Sequence, residues 1–158
     1  MAKPQKRMDF EDAYNRYFDM VYRVAFIHIK KPDDAADISQ EVFFKFLICT
    51  KEFESEEHKK AWLLSCAHNA TMDYFRSKLR KNVSLDAVQE FSLPFEVDET
   101  IGVLLTIPEK YKTALYMYYY EGYKTEEIAK ILHKPNSTVR VNLKRGRELL
   151  KKKLGGGK

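Results

Sequence analysis

The chain has 158 residues, 44% of them hydrophobic and 13% aromatic, with 28 Lys and Arg against 23 Asp and Glu for a net charge of +5 at pH 7. That supplies apolar material for one packed domain or two small ones, and no run approaches the roughly 18 apolar residues of a membrane span. The basic opening MAKPQKRMDF lacks the apolar centre of a signal peptide, so the protein is expected to stay in the cytoplasm.

From Phe10 the apolar residues recur as Phe10, Tyr14, Tyr17, Val21 and Val24, four and three apart. This spacing predicts an amphipathic helix, with Asp9 as its cap and Pro32 beyond its end. Pro32-Asp33-Asp34 opens a second helix in which Ala35, Val42, Phe43 and Phe46 share the side that packs on the first. Its outer arc holds Asp37, Gln40, Glu41, Phe44 and Ile48, a large aromatic and an aliphatic group among acids and an amide. Such an aromatic resembles the anchor of a protein interface. The alternative is that another part of the chain covers Phe44.

The stretch TKEFES has no period and reads as a loop, with Ser55 able to cap a third helix beginning EEHKKAW. Leu63, Ala67, Ala70 and Tyr74 form its buried side, and Trp62, Asn69, Asp73, Arg76 and Arg80 form a stripe on the other. An aromatic, an amide and arginines in one stripe suit stacking on bases and contacting phosphates. A purely structural alternative packs Trp62 under the preceding loop and pairs Asp73 with Arg76 or Arg80. Cys49 and Cys66 show neither a CxxC spacing nor an accompanying His cluster, so no disulfide framework, metal site or cofactor is expected.

Residues 81–97 lose the period, contain Pro94 and read as a linker between helical domains over 1–80 and 98–158. The alternative is an ordered surface connection, since Phe91 and Phe95 could dock on either side. Ile101, Leu104 and Leu105 suggest a short helix. Pro108 suits the first position of the next, which has Tyr111, Leu115 and Tyr118 as its core stripe and Gly122 as its C-terminal cap. The terminal GGGK reads as a flexible tail.

In GYKTEEIAKILHKPNSTVRVNLKRGRELL, Thr125 can cap a short helix with Glu126 and Glu127 in its first turn and Ile128, Ala129, Ile131 and Leu132 on its apolar side. His133 to Asn136 break the pattern, and Asn136 or Ser137 can cap a second helix, making a helix-turn-helix. At about 100° per residue, Val139, Leu143, Gly146 and Leu150 fall inward. Ser137, Arg140, Val141, Lys144 and Arg147 fall opposite or beside them and, with Thr138, are the candidate contacts to a DNA major groove. A merely solvated charged face is the alternative. From Arg140 onward the chain carries eight cationic residues against Glu148 alone, a concentration that suits a polyanion.

Taken together these segments resemble the small two-domain bacterial sigma factors of the extracytoplasmic-function class, over nearly the whole length. AADISQEVFFKF resembles the region that docks on the clamp helices of the RNA polymerase largest subunit, which implies Asp37, Gln40, Glu41 and Phe44 as the polymerase contact. WLLSCAHNATMDYFRSKLRK is similar to the segment that recognises and melts the minus-ten element, with Trp62, Asn69, Asp73, Arg76 and Arg80 in matching positions. The loop before it would, by the same resemblance, hold a flipped base. The C-terminal segment resembles the helix-turn-helix that reads the minus-thirty-five element.

Val141 and Asn142 stand where the family usually has Ser and Arg, and Gly146 replaces a usual Ala, at about 1 kcal/mol of helix propensity. Base preference at the upstream element therefore does not transfer from relatives.

The expectation is an all-helical protein of two small domains that binds core RNA polymerase and promoter DNA, directs initiation and has no catalytic site. An anti-sigma factor is a further candidate partner. The sequence also admits two other classes. A stand-alone helix-turn-helix regulator would dimerise and bind a palindrome without polymerase, and a nucleic-acid-processing enzyme would need a carboxylate cluster or metal-ligand set beside the Trp62–Arg80 face.

Overall fold

The computed structural model describes residues 4–81 and 98–154, with side chains from Asp9 to Lys81 and from Asp98 to Lys153. Among the described residues the secondary structure is helical: α1 (Pro4–Ile29), α2 (Pro32–Ile48), α3 (Glu56–Arg80), α4 (Glu99–Leu104), α5 (Glu109–Tyr119), α6 (Thr125–Leu132) and α7 (Asn136–Leu154). They belong to two compact units, Met1–Pro94 and Phe95–Lys158, with α1 to α3 in the first and α4 to α7 in the second. The linker expected over 81–97 lies outside the described residues apart from Lys81, and so does the GGGK tail.

In the first unit, α1 packs on both α2 and α3. It starts at Pro4, one turn before the expected Asp9 cap, because a proline suits the first helical position and good helix formers follow it. From Met20 to Ile29 every residue except Arg23 is buried, so the second half of α1 is the centre of the unit. Lys30 closes it in the left-handed region at φ 62°, and Pro32 holds Lys31 extended before α2 begins.

Two tyrosines tie the elements. The Tyr17 hydroxyl donates to Glu56 Oε2 at 2.7 Å, and the Tyr74 hydroxyl donates to Asp34 Oδ2 at 2.5 Å. Burial and the bond to Glu56 push the Tyr17 phenol up to about 12, and burial with the Asp34 bond raises Tyr74 as well. The hydrogen bonds from Tyr17 and Lys59 hold Glu56 below its ordinary value.

In the second unit α5 is the central helix, buried without a break from Tyr111 to Met117. Asp98 joins its two ends of chain: Oδ1 accepts the Ile101 N–H at 2.9 Å to cap α4, and Oδ2 accepts the Tyr120 hydroxyl at 2.7 Å. Lys112 is fully buried, with its ammonium 3.0 Å from Glu109 Oε1. Pro108 occupies the cap position of α5 rather than its first helical position. After α5, Gly122 turns the chain at φ 78°, and the Tyr123 N–H donates back to the Met117 carbonyl at 3.0 Å.

The helix-turn-helix is present with different caps from those expected. Lys124, not Thr125, holds the cap position of α6, because Glu127 Oε1 accepts the Lys124 N–H at 2.9 Å and so serves a residue without a capping side chain. His133 ends α6 in the left-handed region at φ 55°, and the Lys134 N–H reaches the Ala129 carbonyl at 3.0 Å. Asn136 is already helical, and the Pro135 carbonyl accepts the Val139 N–H at 3.2 Å, so Ser137 is the second residue of α7 rather than its cap.

Gly146 has a packing reason. A Cβ there would stand 2.6 Å from Leu115 Cδ1 and 3.0 Å from its Cγ, and Leu115 is fully buried. The α7 backbone therefore lies directly on α5. Gly146→Ala is expected to lose stability: overpacking of about 1–3 kcal/mol exceeds the gain of about 1 kcal/mol in helix propensity. Urea unfolding of the full chain measures this, and a more stable variant would show that Leu115 yields without cost.

Candidate polymerase and nucleic-acid interfaces

Three surfaces collect the candidate residues, and the first is the outer face of α2. The inner face is committed to the core through Ala35, Ile38, Ser39, Val42, Phe43 and Phe46. Asp37, Gln40, Glu41 and Phe44 are all exposed, and Phe44 and Ile48 expose 60% and 58% of their surface. Phe44 is thus uncovered within the described residues. Glu41 lies 3.8 Å from Lys45 one turn on, an exposed pair of small energetic weight. Gln40 is held more firmly: its Nε2 donates to the Tyr14 hydroxyl at 3.1 Å, and Tyr14 stands among Phe10, Phe18 and Phe43 with ring centres 4.9–5.8 Å away.

The second surface is the outer stripe of α3. Asn69, Asp73, Arg76 and Arg80 are exposed along it, and Arg76 Nη2 forms an ion pair with Asp73 Oδ1. Trp62 differs from the others. It is half-buried, with its ring 6.1 Å from Phe46 and 5.7 Å from Phe53 of the preceding loop. The stripe therefore combines an exposed polar row with a tryptophan partly committed to packing.

The third surface is α7. Val139, Leu143, Gly146 and Leu150 are buried, while Ser137, Thr138, Arg140, Val141, Lys144 and Arg147 are exposed, Val141 to 46%. Arg145, Lys151, Lys152 and Lys153 extend the exposed positive charge to the end of the helix. The Arg147 guanidinium stands 5.6 Å from the centre of the Tyr118 ring, a cation–π contact that limits its freedom.

Sequence reasoning did not foresee two supports, Tyr14 under Gln40 and Tyr118 under Arg147, whereas Phe53 against Trp62 is the packing under the preceding loop that the structural alternative described. Tyr14 and Tyr118 were legible only as core positions, because the helical period says which side a residue faces and not what its hydroxyl or ring holds. Among the described residues no group of three or more His, Cys, Asp or Glu could hold a metal ion, and no helix is long and apolar enough to cross a membrane.

The Sigma-70 region 2 family matches residues 13–81, and the Sigma-70, region 4 family matches residues 99–150. The ECF RNA polymerase sigma factor SigW of Bacillus subtilis (strain 168) is 30% identical over 166 residues, spanning 92% of this chain and 88% of that protein. The chain belongs to the sigma-70 family. It is a sigma factor of the extracytoplasmic-function class. The RNA polymerase sigma factor SigV of the same organism is 30% identical over 135 residues, covering 82% of this chain and 81% of SigV. SigM, another ECF sigma factor from that strain, is 29% identical over 157 residues, covering 91% and 94%. The same fold occurs in the sigma factor RpoE of Bartonella quintana, solved in complex with the anti-sigma factor NepR. The TM-score is 0.77 at 20% identity, over 93% of this chain and 97% of that one.

Proposed function

We propose that this sigma factor docks on core RNA polymerase through the outer face of α2 and engages promoter DNA with α3 and α7, thereby directing promoter-specific initiation. The observation that carries the docking surface is the two-sided nature of α2, in which a buried face leaves Phe44 60% exposed among Asp37, Gln40 and Glu41. An uncovered aromatic within a polar rim is the form of an interface anchor.

Residues 1–80 would serve polymerase docking and the minus-ten element, residues 81–97 would set spacing, and residues 98–158 would read the minus-thirty-five element. On α3, Trp62, Asn69, Asp73, Arg76 and Arg80 face the minus-ten strand. On α7, Arg140 and Lys144 suit guanine or phosphate, Val141 suits a thymine methyl, and Ser137, Thr138 and Arg147 flank them.

Separating a duplex costs a few kcal/mol per step, more than the outer stripe of α3 with its two exposed arginines supplies. The polymerase provides the remainder and all of the chemistry, so the chain itself acts as no enzyme and works in the cytoplasm. An anti-sigma factor is a further partner class, by likeness to the Bartonella quintana complex.

Two measurements test these surfaces. Phe44→Ala is expected to weaken equilibrium binding to purified core polymerase by more than about 1 kcal/mol, with the thermal melt unchanged. Unaltered affinity would remove the docking surface, and lost helicity would assign Phe44 to the core. On upstream duplexes, Arg140→Ala is expected to reduce discrimination among sequences, whereas Lys151→Ala weakens all alike and lowers the salt slope by about one charge. Equal, sequence-independent losses would mean that α7 only grips phosphate.

A further inference from the structure

The close approach of α7 to α5 at Gly146 and Leu115 brings the next residues of both helices together. Leu115 and Tyr118 lie three apart on one face of α5, and Arg147 directly follows Gly146. The Arg147 guanidinium carbon stands 5.6 Å from the centre of the Tyr118 ring. Tyr119, 47% exposed, braces that ring edge to face, with centres 5.0 Å apart and planes at 74°. Tyr118 is half-buried and Arg147 exposed, so the pair sits where the packed core of the unit meets its surface.

Arg147 belongs to a row. Arg140, Lys144, Arg147 and Lys151 follow one another at intervals of four, three and four residues, all exposed, and run about 16 Å along one side of α7. Base edges are read from the early turns of such a helix. Arg147 stands about three turns after its start, beyond that reach, where the acceptors a duplex offers are its phosphates. The ring holds the arginine through its charge and uses none of its N–H donors, which remain for a phosphate. A long side chain held before contact avoids the rotamer cost of ordering it on binding.

We propose that Tyr118 is a positioning residue that fixes Arg147 for one phosphate of the promoter duplex, so that a side chain of α5 contributes to the grip of α7 on DNA. A contact of this kind carries no base information itself. The proposal rests on the reading of α7 as the duplex-binding helix and traces one of its contacts to a residue outside it.

The test measures binding of holoenzyme, assembled from purified core polymerase and the full chain, across a range of salt. The probes are an upstream duplex that it selects and the same duplex substituted at single positions. Arg147→Ala is expected to weaken every duplex alike and to lower the salt slope by about one charge. Tyr118→Leu removes the ring and is expected to weaken binding by about twofold to fivefold, and to cost nothing further on the Arg147→Ala background. Tyr118→Phe keeps the ring face and is expected to leave binding unchanged.

An unchanged salt slope for Arg147→Ala, or a loss confined to particular sequences, would overturn the proposal. So would unchanged binding by Tyr118→Leu, an equal loss from it with and without Arg147→Ala, or a loss from Tyr118→Phe, which would give the contact to the hydroxyl. If Tyr118→Leu alters the thermal melt, the Arg147→Ala and Tyr118→Phe arms decide. A wild-type holoenzyme that prefers no upstream duplex would instead overturn the underlying reading.

Discussion

The ring of Phe46 is the point on which the first unit depends. Only 7% exposed, it meets Phe10 of α1 at 6.4 Å, Phe53 of the loop at 5.9 Å and Trp62 of α3 at 6.1 Å. One turn earlier, Phe43 meets Phe10, Tyr14 and Phe18 at 5.1–6.3 Å. Such pairs contribute about 0.5–1.5 kcal/mol each beyond the area they bury. They fix the rotation of α2 about its axis, so that a residue one step from Phe43 must face away. Phe44 is exposed for that reason, and the polar groups at 37, 40 and 41 stand on the same side.

In the second unit the equivalent constraint is the contact of Gly146 with Leu115. Absence of a side chain lets α7 rest on α5, and the buried row from Val139 to Leu150 then sets which residues of α7 face outward. Cations and Val141 are left on the outer face. Gly146 weakens α7 as an isolated helix and strengthens its seat on α5, two effects that propensity alone would have scored as a loss.

The sequence was most legible where burial is periodic. Phe43 and Phe46 inside with Phe44 outside, the inner row of α7, and Ser55 as the cap of α3 all follow from spacing and from a hydroxyl before a run of acids. It was least legible where a backbone bond has several suitors. Thr125 has the better capping side chain, yet Glu127 satisfies the Lys124 N–H and moves the boundary by one residue. Asp9 likewise gave way to Pro4, since nothing in the intervening residues stops a helix. Trp62 stood on the polar stripe by angle, but its partners Phe46 and Phe53 come from other elements. Long-range ring contacts leave no trace in local period, so the packing of Trp62 under the 50–55 loop stood only as an alternative and Phe46 was not legible as its second partner.

The family, the exposed face of α2 and the cationic face of α7 describe a chain that acts by bringing polymerase to chosen DNA. The most direct measurement of that claim is run-off transcription from genomic fragments with purified core polymerase, with and without the chain. Transcripts from defined start sites that appear only when the chain is added are the expected result. Tight binding of the free chain to a palindromic duplex, with no chain-dependent transcript, would contradict the account and favour a stand-alone regulator.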